Sequence, residues 1–132
     1  MKKLVSTLKL EKKEWLTYRK KGIGGSDAGA VCGLNPYRTA IQVYQDKISE
    51  EIEELDNEAM RQGREFEDYV AKRFMEATGK KVRRANAIFY HEKYPFMLAD
   101  VDRMVVGENA GLECKTASPY MADKWENGKI PL

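Results

Sequence analysis

Cysteine and histidine are scarce in this sequence, and both scarcities exclude classes of protein. The 132 residues include two cysteines, Cys32 and Cys114, and one histidine, His91. Two distant cysteines do not form the dense framework of a small disulfide-bonded domain. They also lack the ligand spacing of a structural zinc site. We therefore expect both thiols to be reduced and His91 to be a surface residue.

Long hydrophobic runs are also absent. One of the longest, residues 95–99, falls far short of the roughly 20 apolar residues that a membrane-spanning helix needs. The basic start at residues 1–3 is not followed by the apolar core of a signal peptide. We expect a cytoplasmic protein without a membrane partner, and the length of the chain predicts one domain.

The chain has no large excess of positive or negative charge, since it contains 23 Lys and Arg and 21 Asp and Glu. The distribution is nevertheless uneven. Residues 1–40 hold nine basic and three acidic residues, whereas residues 41–68 hold three and ten. The basic segment at residues 9–21 suits contact with phosphate groups, but charged helix surfaces are common. Charge alone therefore leaves both interpretations open.

Hydrophobic periodicity predicts helices in the first part of the chain and strands in the last part. We expect helices over residues 9–19, 39–48 and 57–78, and strands over 85–90, 96–106 and 111–117. A glycine-rich turn from Gly22 predicts a further short helix that ends at Val31 and is capped by Ser26 or Asp27. Such a helix start suits anions. The acidic stretch at residues 49–57 is predicted to connect two helices.

The helix over residues 57–78 carries an acid on its apolar face. At about 100° per residue, the apolar and small positions of this face are Met60, Gly63, Phe66, Val70, Ala71, Phe74, Met75 and Ala77. Glu67 falls within the same face. Burial of an unpaired carboxylate costs several kcal/mol, so Glu67 needs a Lys or Arg partner, a proton or a metal ion. The sequence leaves these three options open.

The last two predicted strands form a hairpin that gathers charged side chains. Pairing Val106 with Gly111 across a turn at residues 107–110 places Asp102, Met104, Glu113 and Lys115 on one face. In this register Asp102 is diagonal to Glu113 and opposite Lys115. The face is either a solvated outer surface or a chemical site.

Together with Glu67, these acids favour a bound cation. Two or three converging carboxylates repel one another unless a hard cation lies between them, and oxygen ligands suit Mg²⁺ or Mn²⁺. Lys115 can orient or help to deprotonate a water that attacks a phosphate, or stabilise the charge that develops.

Five sequence blocks resemble a known family. Asp102 followed by Glu113-x-Lys115 is similar to the PD-(D/E)xK nuclease motif. The blocks are Glu14-Trp15-Leu16 with Arg19, Gly22 to Ala28, Leu34 to Tyr37, Gly63 to Glu67, and Leu112 to Ala117. In this order they resemble the YqaJ viral recombinase family, of the lambda-exonuclease type, over nearly the whole chain. The resemblance implies an α/β (α+β) fold with a restriction-endonuclease-like core, in which N-terminal helices precede a helix and a mixed or antiparallel sheet.

The resemblance also implies an activity. The expected protein is a Mg²⁺- or Mn²⁺-dependent deoxyribonuclease, a 5′-to-3′ exonuclease on double-stranded DNA ends that acts in phage or prophage recombination. A single-strand annealing protein is the implied partner, and a homotrimer is the implied assembly. The alternatives are an endonuclease of the same chemistry and a truncated module that binds DNA or a partner without cutting.

Residue roles follow from the same resemblance. Glu67, Asp102 and Glu113 match metal ligands, the Cys114 carbonyl matches a backbone ligand, and Lys115 matches the catalytic lysine. For DNA binding, Arg19 and Ser26 match positions that hold the terminal phosphate. Gly25 and Asp27, which lie beside Ser26 in the glycine-rich turn, are the other expected DNA-binding residues.

The sequence departs from the family pattern in two places. Asp100 lies two residues before the motif aspartate, where the family has a small hydrophobic residue, Pro or Asn, and Arg103 replaces the common Gly after it. Asp100 is a candidate outer-shell acid or alternative ligand. The family continues past the strand of Glu113, whereas this chain ends at Leu132, so we expect a truncated sheet that is covered by self-association or by a partner. We expect a single domain over residues 1–132, with a DNA-end-binding part at about 1–50 and a nuclease core at about 57–132.

Overall fold

The structure, a computed structural model, describes residues 1–128 and confirms a mixed α/β fold with antiparallel strands. In chain order its elements are β1 (Lys2–Ser6), α1 (Lys12–Arg19), α2 (Gly25–Val31), α3 (Ala40–Ile48), α4 (Glu58–Thr78), β2 (Val82–Arg84), β3 (Ala87–Tyr90), β4 (Leu98–Asp100), β5 (Arg103–Val105), β6 (Gly111–Leu112) and a 3₁₀ segment (Pro119–Gly128). None of the helices in this described part is long and apolar enough to cross a membrane.

The chain divides into two compact units. Unit 1 comprises residues 1–55 and 86–100, and unit 2 comprises residues 56–85 and the chain from Val101 onward. The first boundary falls within residues 49–57, the acidic stretch that joins α3 to α4 and that the sequence predicts to connect two helices. Arg19 and Ser26 belong to unit 1, whereas Glu67, Asp102 and Glu113 belong to unit 2. The single domain expected over residues 1–132 stays a prediction, and its last four residues lie outside the described part.

Unit 1 contains a three-stranded antiparallel sheet in the order β1-β3-β4. β1 pairs with β3 from Lys2 opposite Tyr90 to Ser6 opposite Ala87. The largest side chains that are fully buried are Ile88 on β3 and Val43 on α3. The sequence does not reveal β1, because its short Lys-Lys-Leu-Val-Ser run shows little alternation and its partner lies far along the chain.

The start of α2 differs from the prediction. Gly24, and not Ser26 or Asp27, is the N-cap residue. The carboxylate of Asp27, three residues later, accepts a hydrogen bond of 3.0 Å from the Gly24 N–H. The prediction is wrong because Asp27 occupies the third position of the helix and binds the N–H of the cap residue from there. The Asp27 side chain is buried and pairs with basic groups.

The long helix α4 follows the prediction closely at both ends. The Asn57 side chain accepts a 2.9 Å hydrogen bond from the Met60 N–H, and Gly79 ends the helix with a positive φ of 71°. The positions that are buried or half-buried are Gly63, Glu67, Val70, Ala71, Phe74 and Met75. Met60, Phe66 and Ala77 are exposed, so their predicted burial is wrong. Phe66 and Ala77 lie at the margin of the apolar face, and Met60 lies in the first turn.

Unit 2 contains a second antiparallel sheet, in the order β2-β5-β6. The strand predicted over residues 96–106 is therefore wrong, because it breaks after Asp100 into β4 of one sheet and β5 of the other. The short strand β2 escapes sequence analysis because two of its three residues are arginines. The strand predicted over residues 111–117 contracts to the two residues of β6.

The hairpin register is shifted by two residues from the prediction. Met104, and not Val106, pairs with Gly111. The connecting turn is longer than predicted, because Val105 N–H donates to the Ala110 carbonyl and Gly107 adopts a φ of 82° between them. A shift of two preserves which side chains share a face. It moves Asp102 from the diagonal of Glu113 to the position facing it.

Candidate active site

Asp102 and Glu113 flank the paired part of the β5–β6 hairpin. Arg103 pairs with Leu112, so the next facing positions in this register belong to Asp102 and Glu113. The Cys114 N–H donates a 2.7 Å hydrogen bond to Asp102 Oδ2. This bond holds the Asp102 carboxylate against the backbone of the residue that follows Glu113, so the hairpin brings the two motif acids together.

Lys115 forms an ion pair with Glu113. Its Nζ lies 2.7 Å from Glu113 Oε1, and the two side chains are 70% and 51% exposed. The hydrogen bond with Glu113 raises the pKa of Lys115, partial burial opposes this, and the charges of Glu113 and Asp102 raise it further. Lys115 is therefore a cation at neutral pH, which favours charge stabilisation over proton abstraction among its expected roles.

The Cys114 thiol lies within the field of all three predicted acids. Burial raises its pKa, and the charges of Asp102, Glu67 and Glu113 raise it as well, against the opposing effect of Arg103. The thiol is consequently protonated at neutral pH. Both cysteines are free in the structure, and their reduced state stays a prediction. The role of the Cys114 carbonyl as a ligand stays a prediction.

Glu67 is held by an arginine. Arg103 Nη1 donates to Glu67 Oε1, and Arg103 Nη2 donates to Asp68 Oδ1 at 2.6 Å. The Arg103 side chain is 5% exposed and that of Glu67 is 26% exposed. Burial alone would lower the pKa of Arg103, but the hydrogen bond and charge of Glu67 raise it, with a contribution from Asp68. Of the three options that the sequence leaves for Glu67, the structure contains the arginine partner.

The arrangement fits a metal ion only in part. Within residues 1–128, no three acidic, cysteine or histidine side chains lie close enough together to hold one. Asp102 and Glu113 supply the carboxylate oxygens that Mg²⁺ and Mn²⁺ prefer, and they lie on facing positions. Glu67 does not fit as placed, because Arg103 occupies its carboxylate.

The predicted phosphate-binding residues of unit 1 also come together. Arg19, at the end of α1, donates from Nη2 to Ser26 Oγ at 2.8 Å. Its guanidinium lies 4.6 Å from the centroid of the Trp15 ring. Gly25 is exposed beside Ser26, and a Cβ at this position would meet open space. The structure thus places a cation and a hydroxyl at the start of α2.

Asp27 is buried and has protein partners on several sides. Lys47 Nζ and Arg38 Nη1 lie 2.7 and 3.0 Å from its two carboxylate oxygens. Burial raises the pKa of Asp27, but the hydrogen bonds from Lys47, Gly24 and Arg38 more than offset this, so the pKa lies below its ordinary value. The residue anchors α2 to α3, and its predicted contact with DNA stays a prediction.

Replacement of Asp27 with asparagine should lower the free energy of unfolding by about 3 kcal/mol at pH 7, because a buried ion pair loses one partner. Since the folded-state pKa is depressed, the carboxylate stabilises the fold above pH ~3.9 and loses this effect as the pH falls through the folded pKa. Urea unfolding at pH 7 and pH 3 measures both effects. The control is Asp46→Asn, which removes the exposed carboxylate from the same Arg38 and should cost less than about 1 kcal/mol. Equal losses in the two variants would contradict the assignment.

Sequence reasoning misses several partners that shape these sites. Asp100 is expected as an outer acid or alternative ligand, but it lies in unit 1, where Trp15 Nε1 donates to its Oδ2 at 2.7 Å. Nothing in the sequence around Arg38 or Lys47 identifies these residues as partners of Asp27. The position of Asp27 among small residues at a helix start indicates only that it has basic partners. Arg103 is noticed only as a departure from a motif.

Comparison with known proteins places these features in a family. The model of the YqaJ-like viral recombinase domain matches residues 14–132. The chain belongs to the YqaJ-like viral recombinase domain family. The protein YqaJ of Bacillus subtilis (strain 168), which is described as uncharacterized, is 47% identical over 97% of this chain. The chain spans 40% of the length of that relative.

Solved structures share the fold of this YqaJ-like domain. An alkaline exonuclease from Laribacter hongkongensis superposes with a TM-score of 0.68 and 21% identity, over 89% of this chain and 60% of that one. The same exonuclease in complex with dAMP superposes with a TM-score of 0.56 and 22% identity, over 70% of this chain and 47% of that one. At these identities the likeness concerns the fold, and it confirms the expected fold class.

Proposed function

We propose that this YqaJ-like domain is the catalytic part of a metal-dependent deoxyribonuclease. The observation that carries the proposal is the β5–β6 hairpin, in which Asp102 and Glu113 directly flank the paired residues, the Cys114 N–H donates to Asp102, and Glu113 pairs with Lys115. A carboxylate pair with an adjacent cation matches the requirements of phosphodiester hydrolysis. The similarity in fold to an alkaline exonuclease supports the same conclusion.

Each residue of the hairpin has a defined task in this proposal. Asp102 and Glu113 would hold Mg²⁺ or Mn²⁺, which supplies a Lewis acid and lowers the pKa of water when bound. The Cys114 N–H orients the Asp102 carboxylate, and the Cys114 carbonyl is the proposed backbone ligand. The ammonium group of Lys115 stabilises negative charge on the phosphate. Glu67 would become a further metal ligand only if its carboxylate exchanged its ion pair with Arg103 for the metal ion.

For the substrate, we propose the 5′-phosphorylated end of double-stranded DNA. Arg19 and Ser26 would bind the terminal phosphate, because a guanidinium and a hydroxyl suit its oxygens. The backbone at Gly25 completes this surface, and Asp27 holds the turn. The proposed setting is 5′-to-3′ digestion in phage or prophage recombination in the bacterial cytoplasm, as a homotrimer beside a single-strand annealing protein.

One observation favours a second candidate function. Arg103 occupies the carboxylate of Glu67, and no three-residue metal-holding group is formed among residues 1–128. A module that binds DNA ends without cutting them would have such an arrangement. The two functions differ in whether DNA is degraded when Mg²⁺ or Mn²⁺ is present.

Linear and covalently closed circular DNA separate the candidates. We expect Mg²⁺-dependent degradation of linear duplex, faster for 5′-phosphate than for 5′-hydroxyl ends, with the closed circle intact. Cleavage of the circle would assign an endonuclease instead, whereas binding of linear ends without cleavage would assign the non-catalytic module. Asp102→Asn is the control, because it changes the carboxylate to an amide of the same size and should stop degradation while DNA binding persists.

A further inference from the structure

We propose that Asp100, acting through Trp15, is a positioning residue that holds Arg19 in the orientation in which it binds the phosphate of a DNA end. This inference rests on the proposed function, which assigns Arg19 to that phosphate. All three residues lie in unit 1.

The first contact fixes the indole ring. Trp15 Nε1 donates to Asp100 Oδ2 at 2.7 Å, although the residues are 85 positions apart. A hydrogen bond to a carboxylate is short and strong compared with one between neutral groups. Because an indole has one N–H donor, this bond selects one orientation of the ring. The end of β4 therefore sets the orientation of a side chain on α1.

The second contact places the guanidinium on that ring. Trp15 and Arg19 are four positions apart on α1, so their side chains are neighbours on one face. The Arg19 guanidinium lies 4.6 Å from the indole centroid, within the range of a cation–π interaction. Its Nη2 also donates to Ser26 Oγ at 2.8 Å. Two contacts thus define the direction of an otherwise flexible side chain.

The backbone of Arg19 is held as well. Lys47 Nζ donates to the Arg19 carbonyl at 3.0 Å and forms the ion pair with Asp27. With the backbone anchored, the orientation of the guanidinium depends on the Trp15 ring beneath it and on its hydrogen bond to Ser26. A side chain that is ordered before binding loses less conformational entropy when the phosphate arrives. Asp100 therefore contributes to recognition of the phosphate without being its ligand.

The test measures discrimination between two DNA ends, without cleavage. In EDTA, fluorescence anisotropy gives the Kd of the 132-residue protein for a labelled duplex with a 5′-phosphate and for the same duplex with a 5′-hydroxyl. We expect Asp100→Ala and Trp15→Phe each to lower the ratio of the two affinities by about fivefold, through lost preorganisation. Asp100→Asn keeps an oxygen acceptor for the Trp15 N–H and should restore most of the ratio.

Two further variants complete the design. Tyr18→Phe is the matched control. The Tyr18 ring makes a similar cation–π contact on α1, with Lys21 Nζ 4.5 Å from its centroid, and plays no part in the proposal. Its ratio should equal that of the unaltered protein. Arg19→Ala should give the largest decrease in the ratio of the two affinities. The double variant Arg19→Ala with Asp100→Ala should show no further decrease in this ratio.

The outcomes distinguish this inference from the proposed function. If Arg19→Ala removes the discrimination and Asp100→Ala leaves it intact, the positioning role is overturned and the proposed function stands. If Asp100→Ala weakens binding of both ends equally, its role is merely structural and the inference is also overturned. If Arg19→Ala leaves the discrimination unchanged, the phosphate assignment fails, and the positioning role fails with it.

Discussion

Replacement of Lys115 with alanine should lower the rate of DNA hydrolysis by about 10²–10³-fold, the usual effect of removing a group that stabilises charge in a transition state. The pKa of Lys115 is raised chiefly by its hydrogen bond with Glu113, so the side chain presents a positive charge at neutral pH. Because it is 70% exposed, its removal should leave the free energy of unfolding nearly unchanged. The loss should therefore appear in catalysis alone.

Single-turnover hydrolysis of a 5′-phosphorylated duplex in saturating Mg²⁺ provides the measurement. Lys124→Ala is the matched control, since Lys124 is an exposed residue of the 3₁₀ segment in unit 2. This variant should cut DNA at the rate of the unaltered protein. Lys115→Arg retains the charge and should keep part of the activity. A Lys115→Ala rate within threefold of the control would contradict the assigned role.

Replacement of Arg103 with methionine should have the largest effect on stability, lowering the free energy of unfolding by about 3–5 kcal/mol. The guanidinium is buried between Glu67 and Asp68 of α4 and also donates to the Asp102 carbonyl at 2.9 Å. Its loss leaves the half-buried Glu67 carboxylate without its cation. Replacing both partners, in Arg103→Met with Glu67→Leu, should recover much of the loss, because the uncompensated charge is then removed.

Arg84 offers a control on the neighbouring strand. It pairs with the same Asp68 at 2.8 Å but is 58% exposed, so Arg84→Met should cost less than about 1 kcal/mol. Urea unfolding followed by circular dichroism measures all four proteins. Equal losses for Arg103→Met and Arg84→Met, or no recovery in the double variant, would show that the Glu67 contact does not stabilise unit 2.

Local signals explain what the sequence predicts well. The bounds of α4 follow from Asn57 and Gly79, which act on the residues next to them. The hairpin turn and the shared face of Asp102 and Glu113 follow from the strand period of two. The register does not follow, because that period is unchanged by a shift of two residues and the length of the turn around Gly107 decides it.

Long-range contacts explain what the sequence leaves undecided. The pair between Arg103 and Glu67 joins residues 36 positions apart, so sequence reasoning includes an arginine among the options for Glu67 but does not select it. The contact of Asp100 with Trp15 spans an even longer interval. Motif spacing groups Asp100 with Asp102, whereas the break between β4 and β5 assigns the two residues to different units.

The measurement that tests the central claim most directly is the release of label from end-labelled linear double-stranded DNA in Mg²⁺, Mn²⁺ or EDTA. The unaltered protein and Glu113→Ala are compared under each condition. The hairpin site predicts release with either metal ion, none in EDTA and none with Glu113→Ala. Undiminished release by Glu113→Ala, or binding of DNA ends without release in either metal ion, would contradict it.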